Sequence, residues 1–368
     1  MNRYFLVSIL TLILISFSMT NDLSLQNSET IDLILSSYMD KSPKILFKVF
    51  HLLFKKDYEF TSELAKTRYQ NFKINLAYIK ETNSQNLDYN VGINQFSDLS
   101  LEEFKAKYLK KKFLTGKELD EATKNFIEFV GDDEDDDDLT KRNLSKSKSE
   151  GFTLVDWSKF YSTVRDQANC ASCWTFANTA IVEGCLAIKQ GKPYQLLSTQ
   201  QLLDCDTDQS GCDGGDLISD INFVKSKGLM ADKAYPYLAY AGSCKYAANK
   251  VVAKITGVKH CSNYKKKGSC TAAIVNTMLQ NGPIAVGIDG GTNAFMYYKS
   301  GVFNARCSQD NHAVALIGYG VDPKAGDYWL IRNSWGTWWG MKGYGKIKNN
   351  DANKFSCFVT NEAIQAVC

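Results

Sequence analysis

Cysteine is confined to one end of this 368-residue chain: all eleven lie between Cys170 and Cys368. Histidine is scarcer still. There are three, and only His260 and His312 fall in the cysteine-bearing part. Each shortage excludes something. Cys170-x-x-Cys173 has no second CxxC to pair with, so a cysteine-based metal site is not indicated. The strand-first small domain that a redox CxxC needs does not precede it. No basic cluster is dense enough for nucleic acid, and Lys265-Lys266-Lys267 reads as a solvated loop. The acidic run Asp132-Asp133-Glu134-Asp135-Asp136-Asp137-Asp138 lacks the Gly-punctuated spacing of a calcium loop. After the first 18 residues no apolar stretch is long enough to cross a bilayer.

What is present divides the chain. Its length exceeds one ordinary domain, and 44% hydrophobic residues are ample for globular cores. Residues 1–150 carry 21 Lys+Arg against 24 Asp+Glu, and residues 151–368 carry 22 against 16. The acidic front and basic back therefore suit each other electrostatically. Residues 1–18 hold Arg3, an apolar run from Tyr4 to Ile15 and small residues at Ser16 and Ser18, the pattern of a secretory signal peptide. The apolar core is short for a membrane anchor. Residues 19–110 are charged and helical in pattern. Residues 111–150 form a polar, acidic, flexible linker, with a dibasic cut at Lys141-Arg142, a glycosylation sequon at Asn143 and maturation expected near Gly151.

The stretch with the most chemistry is Gln167-Ala168-Asn169-Cys170-Ala171-Ser172-Cys173-Trp174. Cys173 opens a run (Phe176, Ala177, Ala180, Ile181, Gly184, Ala187, Ile188) with helical spacing. A thiol at a helix N-terminus meets unpaired N–H groups and the positive end of the helix dipole, both of which favour thiolate. An odd cysteine count also leaves one thiol over after pairing. Downstream, helices are expected near 173–188, 198–204 and 217–227. Strands are expected at 283–288, 313–318, 328–331 and 345–347. Helices followed by strands argue an α+β domain with a cleft between the halves.

These residues resemble the papain-like (cathepsin L-like) cysteine peptidases. Gln167 to Trp174 looks like their active-site signature, with Ala171 where Gly is usual. Asn311-His312-Ala313 and Asn333-Ser334-Trp335-Gly336 are similar to the other two catalytic motifs. Upstream, Arg68, Phe72, Asn75, Ile79 and Asn83 share one helix face, with Leu64 in place of a family Glu. Gly92-x-Asn94-x-Phe96-x-Asp98 follows and resembles the second pro-region motif. The resemblance implies a two-lobed papain-like fold, with a helical left lobe (about 160–258), a β-barrel-like right lobe (about 259–358) and a catalytic cleft between them. A helical inhibitory prodomain runs through that cleft against the substrate direction. Acid is expected to release it by discharging carboxylates.

For the site, the resemblance implies Cys173 as nucleophile, His312 as base, Asn333 as its orienter, and Gln167 with the Cys173 N–H as oxyanion hole. Substrate-binding positions are Gly214, Gly215, Asp216, Leu217, Gly287, Asp310, Asn311, Ala313, Trp335 and Glu362. Asp216, Asp310 and Glu362 imply that the pocket for the second residue before the scissile bond (P2) accepts basic side chains. Family disulfides would be Cys170–Cys212, Cys205–Cys244 and Cys307–Cys357. Cys261 with Cys270 would close a short loop and leave Cys185 and Cys368, with other pairings open. The expectation is a cofactor-free, metal-free, monomeric cysteine endopeptidase made as a zymogen. It would be secreted or held in a lysosome or acidic vacuole, act on proteins and peptides, and be open to cystatin-like inhibitors. No nucleic acid partner, and no membrane partner after signal removal, is expected. A catalytically inactive homologue acting as a binding protein is the alternative.

Overall fold

The computed structural model describes residues 28–112, 114–128, 151–264, 268–350 and 357–368. The expected signal peptide, the acidic run, Lys141-Arg142, Asn143 and Lys265–Lys267 lie outside these. Among the described residues no helix is long and apolar enough to cross a membrane. The chain divides into two compact units, 1–77 and 78–368.

The first unit contains α1 (Ser28–Tyr38), α2 (Pro43–Leu53) and most of α3 (Glu63–Ser84). Pro43 at the start of α2 suits a position whose N–H is unpaired in any helix. Phe47 and Phe50 of α2 meet Phe72 of α3 at ring-centroid distances of 5.3 and 5.0 Å. Arg68, Phe72, Asn75 and Ile79 are buried along one face of α3, as their spacing requires.

The second unit opens with β1 (Tyr89–Val91) and α4 (Leu101–Tyr108), the latter started by a capping box between Ser100 and Glu103. Then come α5 (Gly116–Thr123) and β2 (Ile127–Glu128). Both lie in the stretch after residue 110 that was expected as linker. Leu119, 1% exposed, joins the main core, and Asn222 donates a hydrogen bond to the Ala122 carbonyl. A single buried leucine among charged neighbours gives too weak a period to read as a helix.

After β3 (Phe152–Asp156) the helical lobe follows: α6 (Cys173–Gln190), α7 (Thr199–Cys205) and α8 (Leu217–Lys227), then the short pair β4 (Leu229–Met230) and β5 (Val251–Ala253). The residues from Cys173 to Gly184 are all buried, so α6 is a central helix rather than a surface one. Its neighbours in the core include Leu202, Leu217, Ile221, Ala313, Ala315 and Ile317.

The β-rich lobe holds β6 (Gly257–Ser262), α9 (Ala272–Gln280), β7 (Ile284–Ile288), the single turn α10 (Asn293–Met296), β8 (Tyr298–Phe303), β9 (His312–Asp322), β10 (Gly326–Arg332), β11 (Tyr344–Lys348) and β12 (Glu362–Val367). This lobe extends to β12, past the expected end at 358. Strand order among the described residues is β1-β8-β11-β10-β9-β7-β12-β6-β2, with β3 on β9. Both ends of that order, β1 and β2, come from the segment before residue 150.

Register places the chemistry. β7 lies antiparallel to both β9 and β12, with Gly287 opposite Ala313 and Val286 opposite Ala363. The first residues of β9 and β12, His312 and Glu362, therefore share one end of the sheet with the last residues of β7. The structure joins Cys170–Cys212, Cys205–Cys244, Cys307–Cys357, Cys261–Cys270 and Cys185–Cys368, leaving Cys173 as the free thiol.

Candidate active site

Cys173 is the first residue of α6 and is completely buried. Its sulfur accepts from the backbone of Ala313, the residue after His312, and from that of Trp174. The thiol of the helical lobe thus lies against the start of β9. His312 Nε2 meets Asn333 Oδ1 at 2.8 Å. That oxygen also accepts from the Ser334 N–H at 2.8 Å, so it is an acceptor and the imidazole carries its proton on Nε2. Nδ1 is left as the lone-pair nitrogen, buried and without a hydrogen-bond partner. Trp335 stacks on the imidazole at 4.6 Å and 28° and is itself fully buried, which keeps water from the His312–Asn333 bond.

Gln167 is held from both ends. Ser334 Oγ donates to its Oε1 at 2.7 Å, and the Tyr237 hydroxyl donates to its carbonyl at 2.8 Å. The freed amide Nε2 donates to the Cys170 carbonyl at 2.9 Å and to the Tyr108 carbonyl at 3.1 Å. Tyr108 ends α4. A carbonyl from the front segment therefore occupies the donor that a substrate oxyanion would need.

From Tyr108 the chain runs through the cleft, paired to both walls. The Lys112 N–H donates to the Gly215 carbonyl at 2.9 Å, and the Lys111 N–H donates to the Asn311 carbonyl at 3.3 Å. Gly214 adopts φ +101°, and a Cβ there would sit 1.6 Å from the Lys110 carbonyl oxygen, so only glycine permits the approach. Phe96 and Phe104 pack edge-on against Trp335 at 5.6 and 5.1 Å, and Gln95 Nε2 donates to the Trp335 carbonyl at 2.6 Å.

Burial sets the protonation of the pair. It pushes the Cys173 thiol up to about 11 and His312 down to about 4, only partly offset by the backbone donors on sulfur and by Asn333 on the ring. With water excluded, the neutral thiol and neutral imidazole are the favoured forms. The site is assembled and silent.

The acidic pocket lies beside it. Lys111 Nζ is 3.4 Å from Asp310 Oδ2 and 3.7 Å from Glu362 Oε2, with all three side chains almost fully buried. Gly287 makes room for Asp310, since a Cβ there would lie 2.2 Å from the carboxylate. Asp289 fixes the loop before β9 by accepting from the N–H groups of Ser308 and Gln309 and from Asn311 Nδ2. Asp216 spends one carboxylate oxygen capping α8 at the Ile218 and Ser219 N–H groups, and its field still reaches Lys111. Leu217 follows it, fully buried in the core. Burial and carboxylate repulsion raise Glu362 to about 8 and, against Lys111, burial raises Asp310 to about 6.

The sign of those shifts runs against the expectation that acid opens the cleft here. A carboxyl raised on burial takes up a proton as the site closes. Its contribution to closure is present at low pH and is lost as pH rises through about 6 for Asp310 and about 8 for Glu362. Asp213, lowered by exposed Lys110, has the opposite sign, but solvent screens that pair.

Sequence reasoning missed three contributors. Ser334 orients Gln167, Tyr264 donates to Asp310 Oδ2 at 3.0 Å, and Lys111 fills the pocket. Ser334 stands in the Asn333-Ser334-Trp335-Gly336 motif, which is the one local signal for it. Tyr264 and Lys111 carry no local signal, because their roles arise from contacts distant in sequence. His260, the other histidine of this part of the chain, is buried in β6 with the Phe126 ring edge-on at 5.9 Å.

A buried thiol at a helix start, an Asn-held imidazole on a facing strand and a segment threaded between them define a latent thiol hydrolase. Comparison with known proteins agrees. Residues 153–367 match the papain family cysteine protease family, and residues 47–104 match the cathepsin propeptide inhibitor domain (I29). The chain is 37% identical over 305 residues to cysteine protease XCP2 of Arabidopsis thaliana, covering 81% of this chain and 78% of that protein. It is 35% identical over 294 residues to chymopapain of Carica papaya, covering 78% and 76%. The solved digestive procathepsin L 3 of Tenebrio molitor larval midgut superposes with TM-score 0.73 at 30% identity, covering 89% of this chain and all of that one. The chain belongs to the papain family: it is a cysteine endopeptidase zymogen with an I29 propeptide.

Proposed function

We propose that Cys173, His312, Asn333 and Gln167 carry out peptide-bond hydrolysis once the propeptide leaves, with a preference for a basic residue at P2. In the opened cleft the His312 Nδ1 lone pair takes the Cys173 proton. The sulfur attacks the scissile carbonyl carbon, and the resulting oxyanion takes the Gln167 amide and the Cys173 N–H in place of Tyr108. The imidazolium then gives its proton to the leaving nitrogen as the C–N bond breaks, leaving a thioester. Water, deprotonated by His312, attacks the thioester, releases the carboxylate and returns the thiol. Asn333 holds the ring in the tautomer this requires. The four filled positions support this reading over that of an inactive homologue acting as a binding protein.

The preference for basic P2 rests on one observation: a lysine of the chain itself sits between Asp310 and Glu362 in the pocket. Asp310 Oδ1, Glu362 Oε2 and Asp216 Oδ2 make no hydrogen bond, so the pocket has spare acceptors. A guanidinium, with five donors in a planar fork, uses more of them than an ammonium can. Arginine at P2 is therefore expected to outrank lysine. Glu362→Gln should lower the kcat/KM ratio of Arg-Arg to Phe-Arg fluorogenic substrates by about tenfold, the scale of one charge-assisted contact. In the parent enzyme that ratio should climb with pH as Asp310 and Glu362 ionise. An unchanged ratio in Glu362→Gln would sink the acidic-pocket reading.

Five disulfides suit an oxidising compartment, so the same reading sends the protein through the secretory pathway to a lysosome-type vacuole or the exterior. It would act there as a monomer on protein and peptide substrates, exposed to cystatin-like inhibitors.

A further inference from the structure

We infer that Lys111 is a charge-specific plug: the propeptide holds the protease silent by lodging its own ammonium in the pocket that selects the substrate's basic side chain. The inference rests on the basic-P2 reading above and adds its regulatory consequence. One set of acids, Asp310 and Glu362 with Asp216 behind them, governs both what the enzyme cuts and how firmly it restrains itself.

Three features separate Lys111 from an ordinary surface lysine. Its side chain is fully buried, whereas the neighbouring Lys110 pairs with Asp213 at the exposed rim. Its backbone is fixed, with its N–H on the Asn311 carbonyl and the next N–H on the Gly215 carbonyl, so the side chain is delivered into the pocket from a segment clamped to both walls. The pocket is also shaped for it. Tyr264 holds Asp310 Oδ2 toward the ammonium, and the missing Cβ at Gly287 gives the Asp310 carboxylate its place.

Three charged groups act on Lys111 from three elements. Asp310 comes from the loop before β9, Glu362 from the first residue of β12, and Asp216 from the cap of α8. All three are acids, and each belongs to the mature domain. A neutral side chain in the position of Lys111 would leave this cluster buried with no cation, and truncating one member of a buried charge pair is far more costly than truncating a rim pair. The same segment also supplies the Tyr108 carbonyl to Gln167 and carries Phe96 and Phe104 onto Trp335. Loosening the plug thus frees the oxyanion hole and uncovers Cys173 together.

The test uses the full-length zymogen at neutral pH and follows alkylation of Cys173 by an irreversible thiol-directed epoxide before any processing. Lys111→Met should be labelled at least about tenfold faster than the parent, the scale of a lost buried charge contact. Lys111→Arg should be labelled no faster than the parent, and Lys110→Met, at the exposed rim, should match it. Far-UV circular dichroism identifies any variant that has simply failed to fold. Should Lys111→Met be misfolded, Asp310→Asn in the parent zymogen serves instead and is expected to speed labelling, and a parent-like rate would then overturn the plug. Labelling of folded Lys111→Met at the parent rate overturns the plug, whatever the P2 preference of the mature enzyme. Conversely, mature enzyme that ignores Arg at P2 refutes the specificity reading without altering the labelling result.

Discussion

Cys173→Ala is expected to fold, to keep its propeptide and to hydrolyse nothing: kcat should fall by about 10⁶, the loss seen when the nucleophile of a coupled catalytic unit is removed. The sulfur is the one atom that bonds to substrate carbon, and no neighbouring group can stand in for it. His312 Nδ1 is a base without a nucleophile, and Gln167 and the residue-173 N–H can polarise a carbonyl that nothing attacks. The substitution removes one buried sulfur at the head of α6, a site whose backbone is fixed independently by Ser172 carbonyl bonds to Thr175 and Phe176. Stability should change little. The variant should therefore accumulate as full-length chain if maturation is self-catalysed, which an immunoblot of expressing cells would show beside a fluorogenic assay of the purified protein. Measurable turnover by Cys173→Ala would place the chemistry elsewhere.

Gln167→Ala comes next in size. Its Nε2 amide lies within 3.1 Å of the Tyr108 carbonyl, and its Oε1 is already committed to Ser334, so the donor is aimed before substrate arrives. Loss of one preorganised oxyanion donor typically removes about 2.7–4 kcal/mol from the transition state, or about 10²–10³ in kcat. KM should move by much less, because the ground-state carbonyl demands less of that donor than the oxyanion does. Steady-state kinetics on one substrate separates the two. A rise in KM with kcat unchanged would make Gln167 a binding residue instead. Ser334→Ala offers a milder form of the same experiment, since it leaves the amide present but no longer held.

Much of this was legible in the residues themselves. The run from Cys173 has a helical period and does form α6, and the β-rich runs at 283–288, 313–318, 328–331 and 345–347 fall on β7, β9, β10 and β11, with only Pro283 outside its strand. The motifs around Cys173, His312 and Asn333 indicate their roles because the chemistry needs those residue types at a cleft. What could not be read is what depends on the third dimension. Asp310 is placed in the pocket by resemblance alone; the β7–β9 register and the room left by the missing Cβ at Gly287 are what the sequence does not show. Lys111 is the middle of three consecutive lysines, and nothing local says which one is buried. The helix at 116–123 rests on Leu119, whose partners lie in a domain that starts some thirty residues later. The direction of acid dependence was also beyond reach. It depends on burial, which raises Asp310 and Glu362 and which no local pattern in the sequence shows.

The central claim is that one buried pair, Cys173 and His312, is neutral under the propeptide and becomes an ion pair when the propeptide goes. The pH dependence of Cys173 alkylation, measured on the zymogen and on the matured enzyme under the same conditions, reads this directly. The zymogen should react slowly through neutral pH, gaining rate only as the thiol titrates toward the alkaline value that burial imposes, about 11. The mature enzyme should react fast from mildly acidic pH upward, because a facing imidazolium stabilises the thiolate there. A mature thiol that titrates where the zymogen's does would contradict the account, since the sulfur and the imidazole would then never share a proton.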